Sequence, residues 1–240
     1  MGMTAENVAN RREISRIRQE EFALHSHEKA IRAKAEGRLS EEVQQIISPY
    51  SHEGESNHVI DANLDGCMRE STLEAMAGLK PAFIDNGVVT AATSSPLTDG
   101  SSFSLIASKN AIEQHRLTPI AKIVSAAVAG VNPDEMGLGP IPASKIALQR
   151  ANLLVEDLDV VELNEAFSSQ SLACIDELNL PVEKVNIDGG AIAIGHPLGA
   201  SGARIVGKTA SLLQRTGGRY GLATMCIGGG MGIATILERV

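Results

Sequence analysis

From residue 88 onwards, short apolar runs alternate with helical patterns, and this alternation restricts the fold more than any other feature of the sequence. Such alternation predicts an α/β fold, in which helices cover the faces of a sheet. The carboxyl-terminal end predicts a hairpin, with strands over residues 220–226 and 231–238 on either side of three glycines. The other predicted strands span residues 88–92, 102–107, 120–128 and 160–163, and the predicted helices span residues 109–115, 142–151, 165–177 and 200–215.

The amino-terminal region is denser in charge than the rest of the chain. Ser15 is a favoured N-cap residue, so we predict a helix over residues 16–36 that ends at Gly37. The polar stretch over residues 48–65 is predicted to be an exposed loop. In the predicted helix over residues 142–151, the side chains expected to face outward are Ser144, Lys145 and Gln149.

Composition excludes several classes of function. The net charge of −8 argues against nucleic acid or an anionic membrane as a partner, and the absence of Trp argues against a stacking platform for single strands. The sequence contains no run of 18 apolar residues, so we expect no membrane span. His25 and His27 point in different directions on a helix, and three scattered cysteines form neither a disulfide framework nor a zinc site. We therefore expect no metal and a reducing cytoplasm.

Asn164 and Glu165 follow the predicted strand over residues 160–163, where a helix begins. Polar residues at such a junction lie at the edge of the sheet where α/β proteins bind ligands. Because Asn is also a favoured N-cap residue, an ordinary helix cap is the alternative interpretation.

His196 lies in a segment with many glycines, residues 189–204. Pro197 stiffens the turn, and small residues open the following helix, so a ligand or another part of the backbone can approach the imidazole. A histidine held in this way can act as a base or as a hydrogen-bond donor to an oxyanion. The alternative is a capping or core histidine.

Cys226 ends a predicted strand and precedes a turn with four glycines among residues 228–232. A free cysteine is most often a small buried apolar residue. The glycines favour a second interpretation, in which the amides line an oxyanion hole and the thiol transfers protons. This turn is not a dinucleotide-binding loop because a strand follows it instead of a helix, and residues 195–202 lack the Lys-Ser/Thr of a phosphate-binding loop.

Three blocks, in this order and spacing, resemble the thiolase family: residues 164–167 (Asn-Glu-Ala-Phe), 189–204 and 226–232. The resemblance is to acetyl-CoA acetyltransferases and 3-ketoacyl-CoA thiolases in particular. Further similar segments lie at residues 3–9, 79–83, 97–100 and 136–143.

The resemblance implies a thiolase-like layered α/β fold of the αβαβα type, incomplete, with a mostly helical or irregular loop domain. By this resemblance, residues 1–97 form part of a coenzyme A-binding loop domain. Residues 98–119 form the last strand and helix of the first thiolase half, and residues 120–240 form the C-terminal thiolase domain.

The resemblance also implies the chemistry, a reversible Claisen condensation or thiolysis of 3-ketoacyl-CoA by an acyltransferase whose cysteine carries the acyl group. His196 would activate that cysteine and, with a water held by Asn164, would stabilise the enolate oxygen of acetyl-CoA. Cys226 would be the second acid/base, and the Gly228 N–H would help to form a second oxyanion hole.

The same resemblance implies the ligand contacts. Coenzyme A thioesters, acetyl-CoA and 3-ketoacyl-CoA, would be the substrates, with no further cofactor, and the protein would be a homo-oligomer, a dimer or tetramer. An arginine that the family places near the nucleotide falls at Met68, so either Arg69 replaces it or the contact is weakened. Ser95 would contact pantetheine, and the residues that would line the acyl–pantetheine tunnel are Met136, Ala166 and Phe167.

The nucleophilic cysteine has no counterpart in this sequence. Cys67 lacks the matching context, and Cys174 lies within a predicted helix. Three interpretations follow for the chain: a fragment of a thiolase, a non-catalytic coenzyme A-binding fragment, or one subunit of a split thiolase whose cysteine comes from another chain. Because the nucleophilic cysteine is missing, the three interpretations differ on whether the chain alone is active.

Overall fold

The computed structural model describes residues 1–40, 42–48, 60–62 and 65–240. Two short strands, β1 (Ile46–Ser48) and β2 (Ile60–Ala62), pair antiparallel, with Ile46 opposite Ala62. The ends of the predicted loop over residues 48–65 therefore include strand residues. The remainder of that prediction lies outside the described residues.

One four-stranded mixed sheet forms the centre of the carboxyl-terminal region. The spatial order is β3-β6-β5-β4, with β4 and β5 parallel and the other pairs antiparallel. The predicted hairpin is confirmed, as are the strand predictions over residues 120–128 and 160–163. The strands are β3 (Ala121–Gly130), β4 (Leu158–Leu163), β5 (Tyr220–Ile227) and β6 (Met231–Arg239).

Helices pack on both faces of this sheet, which confirms the layered α/β prediction. Alternate side chains of a strand point to opposite faces, and Val160 and Val161 belong to two different apolar clusters. The larger cluster includes residues of α5 (Pro140–Ala151) and α6 (Ser168–Leu178), and the other includes residues of α8 (Leu198–Thr216).

The prediction that Ser144 faces outward is wrong. Ser144 is fully buried, and its hydroxyl lies 3.3 Å from the Thr224 hydroxyl on β5. Helix α5 packs its small residues directly against the sheet, so a serine fits there if its hydroxyl finds a partner. Lys145 and Gln149 are exposed, as predicted.

The amino-terminal region consists of α1 (Gly2–Arg11), α2 (Arg16–Ala35) and α3 (Leu73–Ala77). The Ser15 side chain accepts a hydrogen bond from the Arg18 N–H, and Gly37 follows the helix with a φ of 70°. Both ends of α2 thus agree with the sequence prediction. Its alanines pack against the short helix α7 (Ala191–Ile194), so α2 lies beside the segment that carries His196.

Two strand predictions are wrong. Residues 91–93 form a turn of 3-10 helix after an isolated bridge between Pro81 and Thr90, and residues 102–107 are irregular. A strand is stable only when a neighbour pairs with its backbone, and no strand of the described residues lies beside residues 102–107. The helix predicted next to them is confirmed as α4 (Lys109–His115), capped by Ser108.

Helices long and apolar enough to cross a bilayer do not occur among the described residues.

Candidate active site

His196 lies on the turn between α7 and α8. Gly195 before it has a φ of 93°, and a Cβ at that position would lie 2.6 Å from Thr98 Cγ2, so only glycine fits. The His196 N–H donates to the Pro96 carbonyl at 3.4 Å, which ties the turn to residues 95–96. The backbone of the turn that carries the imidazole therefore packs closely against residues 96–98.

Both ring nitrogens of His196 have a partner. Nδ1 lies 2.6 Å from Ser201 Oγ, and Nε2 lies 3.3 Å from the amide nitrogen of Asn164. The Ser201 hydroxyl donates its proton to the Pro197 carbonyl at 3.1 Å, so the ring N–H is assigned to Nδ1. Nε2 then carries the lone pair, which accepts from the Asn164 amide at 3.3 Å, and an unprotonated Nε2 is the form required of a general base.

The electrostatic surroundings keep His196 neutral. Burial lowers the pKa of its imidazole, and the positive charge of Arg204 lowers it further. Arg204 Nη1 also donates to the Gly195 carbonyl at 3.0 Å, so this cation is fixed behind the turn.

Asn164 immediately follows β4 and is buried. Its backbone N–H donates to the Thr224 carbonyl at 3.0 Å, which extends the parallel pairing with β5 by one residue. Helix α6 begins only at Ser168, with Phe167 in the N-cap position, so the helix-cap interpretation of Asn164 is wrong. The amide is free to face His196.

Cys226 lies near the end of β5, two residues beyond the strand position that pairs with Asn164. It is 6% exposed and packs in one apolar cluster with Met136, Ala166 and Phe167. Burial raises the pKa of its thiol to about 11, so the group is protonated at neutral pH. No hydrogen bond joins Cys226 to His196 within the described part of the chain.

A separate cavity of about 500 Å³ is lined by Arg69, Ser95 and Pro96, and its lining does not include the imidazole, the amide or the thiol described above. This volume falls within the usual range for small-molecule pockets. The Ser95 N–H donates to the Ala166 carbonyl at 3.1 Å, so the wall of the cavity is continuous with the apolar cluster around Cys226. The structure thus brings Ser95 next to the tunnel residues inferred from sequence and places Arg69 in the same cavity.

Comparison with known proteins decides the family. The model of the thiolase C-terminal domain matches residues 117–239, and that of the thiolase N-terminal domain matches residues 1–110. The chain belongs to the thiolase family.

Similar thiolases share close to half of their aligned residues with this chain. A 3-ketoacyl-CoA thiolase of Marinobacter nauticus is 50% identical over all of this chain and 62% of its own length. An acetyl-CoA acetyltransferase of Paracoccus denitrificans is 47% identical, with 100% of this chain and 60% of the relative covered. The chain thus spans about 60% of the length of the curated thiolases that it matches.

Solved thiolase structures superpose on the whole chain. The crystal structure of the Bacillus anthracis acetyl-CoA acetyltransferase gives a TM-score of 0.95 at 40% identity, with 60% of that chain covered. The human mitochondrial 3-ketoacyl-CoA thiolase in complex with CoA gives 0.89 at 38% identity, with 59% covered. These neighbours confirm the thiolase fold predicted from sequence.

The glycines of the turn over residues 228–232 in this thiolase chain are not all explained by the same cause. Gly230 and Gly232 lie against its own backbone, since a Cβ at Gly232 would lie 2.0 Å from the Gly139 carbonyl carbon. Gly228 is exposed, and a Cβ there would meet only the Met1 side chain, at 3.6 Å, among the described residues. Packing therefore explains part of the glycine density, but it does not explain Gly228.

Sequence reasoning missed a buried hydrogen-bond network in this thiolase. Glu165 is 1% exposed, and its carboxylate accepts from Ser26 Oγ at 2.6 Å, Asn186 Nδ2 at 2.7 Å and the Ile192 N–H at 3.2 Å. The only sequence signal was Gly190, where a Cβ would lie 2.2 Å from the Glu165 carboxyl carbon. Ser201 and Arg204 were likewise not predicted.

The other two cysteines differ from Cys226. Cys174 is buried in α6, its Sγ lies 3.4 Å from the Gly137 carbonyl, and burial raises the pKa of its thiol. Cys67 is partly exposed and lines the 500 Å³ cavity. No group of three His, Cys, Asp or Glu side chains that could hold a metal occurs among the described residues.

Proposed function

We propose that this chain supplies the acetyl-CoA-activating part of a thiolase, an acyltransferase that forms or cleaves 3-ketoacyl-CoA by reversible Claisen condensation. The observation that carries the proposal is the contact between His196 Nε2 and the Asn164 amide, with the buried thiol of Cys226 near the end of the neighbouring strand β5. An imidazole, an amide and a thiol are the groups needed to stabilise an enolate and move its proton.

As a neutral base in this proposal, His196 takes the proton of the nucleophilic cysteine on Nε2. The Nε2–H so formed and a water held by Asn164 then donate to the oxygen of the acetyl thioester. The N–H of Gly228, an exposed residue, serves the second oxyanion hole. Loss of one such donor typically raises the barrier by about 3 kcal/mol.

Cys226 transfers the proton of the acetyl methyl group. In thiolysis the thiol gives its proton to the α-carbon of the departing acetyl unit. In condensation the thiolate removes that proton. Since burial raises the pKa of Cys226 to about 11, the thiol is the resting form and the condensation direction becomes faster as pH rises.

The substrates that we propose are acetyl-CoA and 3-ketoacyl-CoA, with no further cofactor. Ser95 contacts pantetheine and Arg69 the nucleotide portion, because both line the 500 Å³ cavity. The acyl group passes along the apolar cluster that contains Cys226, and the residues that line its path are Met136, Ala166 and Phe167.

The complete enzyme is proposed to be a cytoplasmic homo-oligomer, a dimer or tetramer. The three free cysteines support a reducing compartment. We also propose that the boundaries between the three regions of the chain lie at residues 97 and 119. The nucleophilic cysteine is supplied from outside residues 1–240.

A thiolysis assay with acetoacetyl-CoA and CoA tests this proposal. We expect activity from the chain extended by the coding region immediately upstream, and loss of that activity in Cys226→Ser but not in Cys174→Ser, a second buried cysteine. Coenzyme A binding without turnover in the extended chain would favour a non-catalytic fragment. Turnover only with a separate partner chain would favour a split enzyme.

A further inference from the structure

A second, smaller cavity lies on the side of Asn164. Its volume is about 20 Å³, which suits one water molecule. Glu162 and Asn164 line it from the end of β4, and Arg204 and Lys208 line it from α8. It shares no lining residue with the 500 Å³ cavity, so substrate binding does not account for its polar walls.

Two buried oxygens on this cavity are unpartnered in the described part of the chain. They are Glu162 Oε1 and Asn164 Oδ1, on residues that are 5% and 1% exposed. An unsatisfied buried polar group destabilises a fold, and a charged one does so more strongly. Stability alone therefore does not explain a glutamate at this position.

Arg204 connects this cavity to the catalytic turn. It donates to the carbonyl of Gly195, the residue before His196, and its charge lowers the pKa of the His196 imidazole. Burial, the largest influence, lowers the pKa of Arg204, and the charge of Glu162 is the strongest one that opposes this shift. Glu162 and Arg204 therefore face the same cavity and interact through their charges, although no ion pair joins them within the described residues.

We propose that Glu162 is a positioning residue for His196, acting through the charge and orientation of Arg204; the catalytic part of this inference rests on the proposed function. When the Glu162 carboxylate is ionised, it compensates the Arg204 charge, and the imidazole becomes a stronger base. When the carboxyl is protonated, the Arg204 charge acts on His196 with less compensation, from Asp65, Glu165 and Glu42 alone.

The ionisation of Glu162 falls within the working range of an enzyme. Burial raises the pKa of its carboxyl to about 8, although two cations oppose this shift. The charged groups that act on Glu162 come from three directions: Arg204 and Lys208 on α8, Glu165 after β4, and Glu42 after α2. Asp65 also acts on Arg204, and Asp188 binds Lys208.

An NMR titration of the chain labelled with ¹⁵N-histidine tests this coupling without any substrate. The His196 signal is assigned by its loss in His196→Asn. We expect two inflections in the native chain: the ring's own, below the ordinary histidine pKa, and a second near pH 8 that reports Glu162. A native chain with no second inflection would overturn the proposal.

Three variants separate charge coupling from a structural role. Glu162→Gln keeps the shape and removes the charge, so it should abolish the second inflection and leave the first unchanged, because Glu162 is already neutral at that pH. Arg204→Gln should raise the first inflection. Glu156→Gln, at an exposed position, should change neither. Persistence of the second inflection in Glu162→Gln contradicts the proposal.

A rate measurement distinguishes this inference from the proposed function. We measure the rate at which the acetyl-CoA methyl protons exchange with solvent, for the native chain and for Glu162→Gln. The ratio of the native rate to the variant rate is then compared between pH 7 and pH 9. We expect the ratio to rise with pH. A second inflection in the His196 titration, without any exchange of the methyl protons, would support the link between Glu162 and His196 and contradict the proposed function. Exchange with a constant ratio would support the proposed function and contradict the role of Glu162.

Discussion

Ser26 in the middle of α2 donates to Glu165 Oε2 at 2.6 Å, although the two residues are 139 positions apart. The same hydroxyl accepts from the Gly190 N–H at 3.0 Å. One serine thus joins α2 to two segments of the candidate site, the segment after β4 and the segment before His196. Glu165, the acidic residue of the Asn-Glu-Ala-Phe block, thus takes part in hydrogen bonds that connect distant segments of the chain.

Replacing Glu165 with Gln should destabilise the chain by about 1–3 kcal/mol, because an amide nitrogen cannot accept the hydrogen bonds that the carboxylate accepts. Urea denaturation measures the change, with the exposed Glu156→Gln variant as the control. Hydrogen exchange should also become faster in α2. Equal midpoints for the native chain and Glu165→Gln would show that the network contributes nothing.

Ser201→Ala should change the tautomer of His196. The variant removes the acceptor at 2.6 Å from Nδ1, so the ring loses the contact that keeps its proton there. Nitrogen-15 shifts of the imidazole are expected to show a mixture of the two neutral forms. Ser211→Ala lies on the same helix and serves as the control. An unchanged Nδ1–H tautomer in Ser201→Ala would contradict the assignment.

Asp188→Asn should be among the most destabilising single changes. Asp188 is fully buried and accepts from Arg38, from Lys208 Nζ at 2.6 Å and from Arg215 Nη2 at 2.7 Å. Loss of one partner in a buried charge cluster typically costs about 3–5 kcal/mol. Thermal denaturation, with the exposed Asp85→Asn as the control, measures this loss.

The effect of Asp188 should depend on pH. Burial, the largest influence, raises the pKa of its carboxyl, but the hydrogen bonds and charges of Lys208 and Arg215 lower it below the usual range. A carboxyl with a lowered pKa stabilises the fold above the unfolded value of about 3.9, and this stabilisation is lost as pH falls through the folded value. The difference between native and Asp188→Asn should therefore shrink in acid. A constant difference would contradict this explanation.

The irregular segment over residues 97–106 should make the isolated chain associate. Leu97 and Phe103 are each 95% exposed and Leu105 is 85% exposed, which is unusual for a monomer surface. Sedimentation velocity is expected to show association that depends on concentration and that decreases in a Phe103→Ser/Leu105→Ser variant. Val182→Ser removes an isolated exposed side chain and should have no effect. A stable monomer at high concentration would contradict this prediction.

Local signals were sufficient to predict most of the carboxyl-terminal fold. The cap at Ser15, the glycine at position 37 and the apolar runs of β3, β5 and β6 are all readable from neighbouring residues. Residues 102–107 failed because their apolar pattern is compatible with a strand, but strand formation depends on a partner elsewhere.

The candidate site was partly predictable for the same physical reason. Glycines and a proline mark the His196 turn within a few residues, whereas Asn164, the partner of Nε2, lies 32 positions away. Glu162 and Arg204 are separated by 42 positions and line one cavity only because β4 lies against α8. A buried carboxylate cannot be distinguished from an exposed one without this packing.

Exchange of the acetyl-CoA methyl protons with D₂O tests the proposed chemistry most directly, because it requires His196, Asn164 and Cys226 but no transfer of the acyl group. Proton NMR follows the methyl signal at saturating acetyl-CoA. We expect the native chain and Cys174→Ser to catalyse exchange, with a loss of roughly 100-fold in Cys226→Ser. Equal rates in the native chain and Cys226→Ser would contradict the assignment of Cys226 as the group that moves this proton.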